Sequence, residues 1–587
     1  AKKGNKLQDI SPEEYAQFEK VARKIMPEIP LERAQNSFDE VETGFSEADA
    51  QAEAARCLEC GCLVNEICML REYCADYRVD TLRFLGSINK HPIDYSHPYI
   101  VRDTNKCINC ALCVRACADV QGPAVLGYIY RGFPAVVAPE FGESLTKTGC
   151  ESCGKCVAVC PVGALVGRNI NYKLNPLPKT RTHQNCGICG TGCEIICETQ
   201  SAVPVRITTD EEKPGFNSRN ICFKGRFGWQ SLFGPERLRI PLLKDGFAWR
   251  EIGWKDVLDI LRDKAAEHPA KHFEISPYIS LEEMLIARRA ALGCQAEFCA
   301  DPRYRVFSSE FLPGSPNHDP YAILDNFQEY VVMGEVSNTL RTVLRLRQRK
   351  GKRLISVTCG GSAPLRFADR VYNSLTELEP GKGQLFIYNL NRIPERFIQR
   401  LLNLAVRQDS ALRNVLESTD YPNYYGLQAL QPCFEPAAET GLALAWGTRL
   451  DPELRASFKV EIQQFRDAAS TADLLLPAPS YLEIDGHALA NGWGITRFCN
   501  PAQSAIINEL TRCFYQLDWI SPATADIPFW NEEASRLLAS LSQRKPQSYR
   551  EDAVKPEDLR TIPLLPDSLL QRQLINLYNK RKEITSF

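Results

Sequence analysis

The sequence lacks the features that attach a chain of this size to a membrane or to nucleic acid. No apolar run reaches the roughly 18 residues that a membrane-spanning helix requires, and the N-terminal AKKGNKLQDI carries no apolar stretch typical of a signal peptide. A formal net charge of −2 leaves no excess of positive charge to attract nucleic acid or anionic lipid. We therefore predict neither a membrane partner nor a nucleic-acid partner.

Motifs for nucleotides and for plant-type clusters are also missing. No G-x-G-x-x-G fingerprint and no phosphate-binding P-loop occur in the 587 residues, and no cysteines follow the C-x4-C-x2-C spacing of plant-type [2Fe-2S] ferredoxins. No catalytic residue is assigned. Flavin or nicotinamide chemistry is expected to belong to another domain or another chain.

Cysteine, by contrast, is abundant and unevenly placed. Of the 24 cysteines, 18 fall between Cys57 and Cys222, mostly in C-x-x-C pairs, and six lie in the rest of the chain. Disulfide frameworks occur chiefly in short secreted chains, whereas clustered thiols in a long chain without a secretion signal indicate metal binding in a reducing compartment. We predict a cytoplasmic metalloprotein.

Two cysteine runs repeat one pattern. Each reads C-x2-C-x2-C-x3-C, the first from Cys107 and the second from Cys150. In such runs three thiolates hold one iron–sulfur cube and the fourth cysteine reaches the other cube, whereas zinc sites use paired C-x-x-C units. The apolar runs VLGYIY and AVVAPEF between them predict strands. The expected ligand sets of two [4Fe-4S] clusters are Cys107, Cys110, Cys113 with Cys160, and Cys150, Cys153, Cys156 with Cys117.

A third site follows a different spacing. CGICGTGC gives C-x2-C-x3-C, and a distant fourth cysteine stands in CFKGRFG. Glycines between the thiols relieve crowding around a cluster. Cys197 is left over and is predicted to be a small buried hydrophobic residue. The ligands expected for a third [4Fe-4S] cluster are Cys186, Cys189, Cys193 and Cys222.

The N-terminal group ARCLECGCLVNEICMLREYC offers five thiols for four positions. Ser46, with Asp49 three residues later, predicts the N-cap of a helix whose end presents the first of these thiols. His91 and His97 are predicted to be structural rather than ligands. Zinc binding or free thiols are the alternatives to a cluster here. The ligands expected for a fourth [4Fe-4S] cluster are Cys57, Cys60, Cys62 and Cys68, with Cys74 spare.

The segments CGICGTGC, CFKGRFG and ERLRIPLLKDG resemble the entry domain of the molybdopterin oxidoreductase superfamily, which includes formate dehydrogenases and the large subunit of respiratory complex I. TADLLLPAPSYLEIDGHALANGWG resembles the superfamily's element near the pterin. The resemblance implies an α/β scaffold in which Cys294 or Cys299 would bind molybdenum. Neither is followed by the histidine of formate dehydrogenases, so we expect a degenerate scaffold without molybdopterin, in which Lys224 is structural.

The run MPEIPLERAQNSFDEVETGFSEADA resembles the linker behind glutamate-synthase small-subunit-like FAD/NADPH domains. Together the motifs resemble the complex-I-large-subunit-like part of electron-bifurcating, ferredoxin-dependent transhydrogenases. This resemblance implies electron transfer between a partner NADH/ferredoxin module, with flavin and iron–sulfur subunits, and an FAD/NADP(H) domain that is fused or separate. It further implies a fragment of a longer chain within a hetero-oligomer, such as a dimer or tetramer of heterotrimers. A subunit of an electron-bifurcating formate dehydrogenase or hydrogenase is the alternative.

The expected fold class is α/β, in several domains because of the chain's length. FQEYVVMG and KRLISVTCGG predict buried strands on either side of a helix around Asn338–Arg349. The predicted segments are a helical linker or docking arm (1–55), an N-terminal [4Fe-4S] segment (56–99), a 2[4Fe-4S] ferredoxin-like domain (100–178), a molybdopterin-oxidoreductase-type [4Fe-4S] domain (179–240), a degenerate, metal-free molybdopterin-oxidoreductase-like domain (241–545) and a tail (546–587).

Overall fold

A computed structural model of the chain divides into two compact units, residues 1–65 and 66–587. The bounds of the six predicted segments remain predictions. The structure describes residues 21–56, 68–80, 83, 89–168, 179–200, 203–210, 212–301, 304, 321–359, 362–378, 381, 383–408, 414–430, 432–434, 439–451, 453–467, 469–490, 494–498, 505–521 and 527–542.

The first unit contains helices α1 (Leu31–Asn36) and α2 (Glu47–Ala55). The predicted cap of α2 is confirmed, because the Ser46 hydroxyl accepts a hydrogen bond from the backbone N–H of Asp49 at 3.1 Å. Lys24 forms an ion pair with the same Asp49 at 3.0 Å. Cys57, which α2 is predicted to present, lies outside the described residues.

In the second unit, the region of the two cysteine runs consists of short elements. Both apolar runs between them form strands as predicted, and these pair antiparallel. A second antiparallel pair joins the start of the region to its end. The elements are helix α3 (Met69–Asp76), strands β1 (Ile100–Arg102), β2 (Gly127–Ile129), β3 (Val136–Ala138) and β4 (Leu165–Gly167), and helices α4 (Leu112–Arg115) and α5 (Lys155–Val159), with a π-helical turn at Ala116–Gln121.

A small antiparallel sheet follows, in the order β5-β6-β7. It carries the CGICGTGC segment between its first two strands, and a short helix begins directly after Cys222. Its elements are β5 (Thr180–Asn185), β6 (Glu194–Gln200), β7 (Val203–Thr208) and α6 (Phe223–Phe227).

A five-stranded parallel sheet has the order β14-β13-β12-β15-β16. Both predicted strands and the predicted helix are confirmed. Alternate residues of β12 enter two different cores, Val331 and Met333 one and Tyr330 and Val332 the other, as expected for a parallel strand buried on both faces. The elements are α9 (Ile323–Asn326), β12 (Glu329–Met333), α10 (Asn338–Arg349), β13 (Arg353–Val357), β14 (Arg370–Tyr372), β15 (Gln384–Asn389), α11 (Glu395–Val406) and β16 (Val415–Ser418).

A seven-stranded sheet has the order β11-β10-β17-β18-β19-β8-β9. It is parallel from β11 to β19, and β8 and β9 extend it antiparallel. Phe273, Leu444 and Trp446 point from it into the largest core. The remaining elements are β8 (Leu242–Asp245), β9 (Ala248–Glu251), α7 (Trp254–Glu267), β10 (Lys271–Ile275), α8 (Leu281–Gly293), β11 (Glu297–Ala300), α12 (Tyr424–Ala429), β17 (Glu439–Trp446), β18 (Arg455–Gln463), β19 (Leu474–Pro477), the hairpin β20 (Gly486–Ala490) and β21 (Gly494–Phe498), α13 (Ala505–Gln516) and α14 (Ile527–Ser542).

Within the described ranges, none of the helices combines the length and the apolarity needed to cross a membrane. The structure thus agrees with the expected α/β class, with a cysteine-rich part followed by parallel sheets.

Candidate metal centres

The first expected ligand set lines one cavity. Three thiols come from the first run and the fourth from the end of the second run, as the spacing predicts. Burial raises the pKa of Cys113 to about 11, and the neighbouring thiols of the set reinforce that rise. A cluster would have to displace these protons on binding. The four thiols are those of Cys107, Cys110, Cys113 and Cys160.

In the second set, too, three thiols come from one run and the fourth comes from the other run. Burial raises the pKa of Cys153 to about 11, with Cys150 and Cys117 adding to the rise. Burial also raises the pKa of Cys156, and the nearby thiols that raise it further include Cys113 of the first set. The two sets are therefore neighbours, and each contains a cysteine from the other run.

The two runs share a backbone conformation as well as a spacing. Two residues after the first cysteine of each run, Asn109 and Ser152 have φ of 54°, and their N–H groups donate to Sγ of Cys107 and Cys150, both at 3.4 Å. Backbone N–H groups directed at sulfur stabilise thiolates and tune the potential of a cluster. Four converging thiols with such donors fit a [4Fe-4S] cube.

The third set also lines a single cavity. Its wall contains all four expected thiols together with Ile188, Ile221 and two glycines. A Cβ added at Gly225 would lie 3.4 Å from Sγ of Cys186, so the glycine gives the sulfur room. Cys197 is buried outside this wall, as predicted. The four thiols are those of Cys186, Cys189, Cys193 and Cys222.

The fourth group is described only in part. Cys57, Cys60 and Cys62 lie outside the described residues. Cys68 directly precedes α3, and the N–H of Met69 donates to the carbonyl of Pro161 at 3.1 Å. That contact holds Cys68 beside the end of the second run. The choice of Cys74, within α3, as the spare thiol stays a prediction.

The structural role predicted for His97 is confirmed. Its Nδ1 accepts hydrogen bonds from the N–H groups of Tyr99 and Ile100, each at 3.1 Å, and its Nε2 lies 3.1 Å from the Ser152 hydroxyl. Burial lowers the pKa of His97 to about 4, so the ring is neutral near pH 7. Both ring nitrogens are engaged, and the side chain buttresses the loop between Cys150 and Cys153.

Sequence reasoning missed Arg226, which lies between the second and third sets. Arg226 is buried, and its Nε donates to the carbonyl of Cys153 at 3.1 Å. Its Nη2 is buried without a hydrogen-bond partner among the described residues. Burial lowers the pKa of this guanidinium, while Cys153 and Cys156 of one set and Cys222 of the other act in the opposite sense. A fixed positive charge thus faces both sets.

Comparison with known proteins identifies part of the chain. Residues 97–166 match the family model of the NADH-quinone oxidoreductase subunit 3 ferredoxin-like domain. This segment is a ferredoxin-like domain. Its cysteines are consistent with iron–sulfur clusters.

Curated relatives share only a segment of their length with this chain. They include an NADH-quinone oxidoreductase subunit of Rhizobium meliloti, 34% identical over 32% of this chain and 22% of that protein. NADPH-Fe(3+) oxidoreductase subunit alpha of Geobacter sulfurreducens is 31% identical over 30% of this chain and 20% of that protein. NADH-quinone oxidoreductase subunit 3 of Thermus thermophilus is 31% identical over 34% of this chain and 25% of that protein. These relatives are oxidoreductase subunits by name.

Two solved structures show weak overall likeness. A chain of an NAD+-reducing [NiFe]-hydrogenase in the H2-reduced state aligns with 22% of this chain at 25% identity, with a TM-score of 0.18 and 59% of its own length covered. A chain of the formyltransferase/hydrolase complex of Methylorubrum extorquens aligns with 47% of this chain at 13% identity, with a TM-score of 0.34 and 98% of its own length covered.

Proposed function

We propose that this chain is the electron-conducting, iron–sulfur subunit of a cytoplasmic, electron-bifurcating NADH/ferredoxin:NADP oxidoreductase, a transhydrogenase. The observation that carries the proposal is the convergence of twelve cysteines into three four-thiol sets, two of which exchange their fourth member. Together with the partly described N-terminal group, they supply sixteen ligands for four [4Fe-4S] clusters. When bound, such clusters accept and release single electrons with little rearrangement.

The order of the sets supports conduction along the chain. Cys68 is held next to the second run by the Met69–Pro161 hydrogen bond. Cys113 of the first set is close enough to raise the pKa of Cys156 in the second set. Arg226 lies close to thiols of both the second and the third set. The proposed sequence is therefore the N-terminal group, the two ferredoxin-type sets and then the Cys186–Cys222 set.

The protein's residues bury the thiols and balance their charge. Burial is the largest cause of the raised pKa of one thiol in each set, those of Cys113, Cys153 and Cys186. The backbone N–H donors at Asn109 and Ser152 and the guanidinium of Arg226 face the negative charge that an added electron brings. These groups favour reduction, while burial opposes it.

Pyridine-nucleotide partners are proposed from the names of the relatives, which are NADH- and NADPH-linked oxidoreductases. The donor and acceptor would be a flavin- and cluster-containing NADH/ferredoxin module and an FAD/NADP(H) domain. We expect no molybdopterin. In support, Cys294 is packed in the largest core, and its thiol donates to the carbonyl of Ala291 at 3.5 Å.

Loss of one ligand tests the conducting role. Cys153→Ser should remove the second cluster, with its electron paramagnetic resonance (EPR) signal, and block NADPH-linked turnover of the native complex, while dye reduction at the partner's flavin continues. Cys197→Ala, which removes a buried thiol outside the sets, should leave all three readouts unchanged. NADPH-linked turnover that survives Cys153→Ser, with its EPR signal lost, would remove this chain from the electron path.

A further inference from the structure

Five side chains with metal-binding groups lie on one face of the seven-stranded sheet, far along the chain from the cysteine runs. In the register of β10 and β11, His272 stands opposite Glu297, and Glu274 stands opposite Cys299. An isolated parallel bridge then places Cys433 beside Cys299. Because side chains alternate between the two faces of a strand, all five point the same way.

The backbone fixes the outermost of these groups firmly. The N–H of Cys433 donates to the carbonyl of Phe298 at 3.0 Å, and the N–H of Ala300 donates to the carbonyl of Cys433 at 2.9 Å. Cys433 is thereby held next to Cys299. The alternate residues of β10, Phe273 and Ile275, enter the hydrophobic core on the opposite face.

The distances fit one ion. Ligand atoms of His272, Glu297 and Cys299 all lie within 4.8 Å of one another. His272 directs Nδ1 toward Glu297 Oε2 at 3.9 Å and Nε2 toward Glu274 Oε2 at 3.7 Å. Both separations exceed hydrogen-bonding range, yet an ion between Nδ1 and Glu297 would bring those groups into direct coordination.

The environment of His272 also indicates a bound cation, independently of these distances. His272 is 1% exposed, and neither of its ring nitrogens has a hydrogen-bond partner in the described part of the chain. Burying an unpaired polar group costs free energy, so nearly all such groups in folded proteins are satisfied. A bound cation would satisfy Nδ1, and the carboxylate of Glu274 would then accept a hydrogen bond from Nε2, as carboxylates do behind metal-bound histidines.

We propose that this face binds one divalent cation of the zinc class through His272, Glu297 and Cys299. An imidazole, a carboxylate and a thiolate match the preference of Zn²⁺ for nitrogen, sulfur and oxygen ligands. Three protein ligands leave the fourth tetrahedral position open, on the side where Cys433 neighbours Cys299. The ion would join edge strand β11 to β10. The proposal is independent of electron transfer, and Cys299 becomes a zinc ligand rather than a molybdenum ligand.

The test is zinc content of the full chain purified anaerobically with its clusters in place, washed with a chelator and then given Zn²⁺ alone. We expect about one zinc per chain. X-ray absorption at the zinc edge should show a mixed shell, with sulfur near about 2.3 Å and nitrogen or oxygen near about 2.0 Å. Cys299→Ala should abolish this zinc, and Cys294→Ala, a neighbouring buried thiol outside the face, should not.

A conservative variant distinguishes loss of zinc binding from misfolding. Glu297 is exposed, so Glu297→Gln should fold, keep the iron content and bind Zn²⁺ at least about tenfold more weakly in competition with a chelating dye. Absence of zinc uptake by the unmodified chain would overturn the proposal, as would a four-sulfur shell that survives Cys299→Ala, since that would place zinc in a cluster site. Alkylation showing a disulfide between Cys299 and Cys433 would also overturn it.

Discussion

Replacing Gly154 with alanine probes the backbone on which the second cysteine set depends. Gly154 has φ of +66° and begins helix α5 between Cys153 and Cys156. Ala111 occupies the equivalent position in the first run, four residues after its first cysteine, with φ of 60°. The two positions therefore share a left-handed conformation, but one has a side chain and the other has none.

The surroundings make the two positions unequal. A Cβ on Gly154 would collide with Cδ of Arg226 and lie 2.9 Å from Cζ of Phe227, and both side chains are buried. The left-handed backbone costs an alanine about 1–2 kcal/mol, and overpacking a buried site adds about 1–3 kcal/mol. The sum is a destabilisation of about 2–5 kcal/mol. Ala111→Gly relieves about 1–2 kcal/mol of strain and costs about 0.5–1 kcal/mol of chain entropy, so its net effect is a stabilisation of at most about 1.5 kcal/mol.

Anaerobic heating of the cluster-loaded protein, followed by bleaching of its visible absorption, measures the difference. A small domain loses about 4–8 °C of melting temperature per kcal/mol, so Gly154→Ala should lower the first bleaching midpoint by about 10 °C or more. Ala111→Gly, the matched control, should leave this midpoint unchanged or raise it. Equal shifts in the two variants would show that the collision with Arg226 and Phe227 has no energetic effect.

Three further changes have defined outcomes. Arg226→Gln should lower the midpoint potentials of the second and third clusters in an EPR-monitored titration, because it removes the positive charge that favours reduction. Arg226→Lys, the control, should keep both midpoint potentials close to those of the wild type. Identical potentials in the wild type and the glutamine variant would contradict this role of Arg226. Burial raises the pKa of Glu417 from 4.5 to about 7 despite hydrogen bonds from Tyr388 and Tyr425, so the folded protein holds this proton more tightly than the unfolded chain. Its stabilising contribution is full below pH 4.5 and is lost as pH rises through 7, by about 3 kcal/mol at most; Glu417→Gln should flatten this part of the stability profile, and an unchanged slope would show that Glu417 does not titrate there. Cys74→Ala should leave the iron content unaltered, and a loss of about four irons would make Cys74 a ligand.

Local sequence patterns predicted the elements whose signals are local. The strands β12 and β13 and the helix Asn338–Arg349 were predictable because each is a run of apolar or amphipathic residues between turn signals. The order of the strands was not predictable, since β10 pairs with β17 more than 160 residues later, and no short-range feature encodes such pairing.

The candidate sites also include features that local sequence predicts and features that only the folded chain shows. Cysteine spacing was enough to predict which thiols of the two runs converge, because three thiols of each set are close in sequence. Arg226 carries no spacing signal, and its proximity to two sets follows from the docking of α6 against the ferredoxin-like domain. The face around His272 arises from the register of strand segments near residues 272, 298 and 433, so only the folded chain brings those residues together.

We propose that the chain binds four [4Fe-4S] clusters and no molybdenum centre. Elemental analysis of anaerobically purified protein, with iron, molybdenum and tungsten counted per chain, tests it most directly. We expect about sixteen irons, four for each four-thiol set, with neither molybdenum nor tungsten. Stoichiometric molybdenum or tungsten, or fewer than about twelve irons in the fully loaded protein, would contradict it.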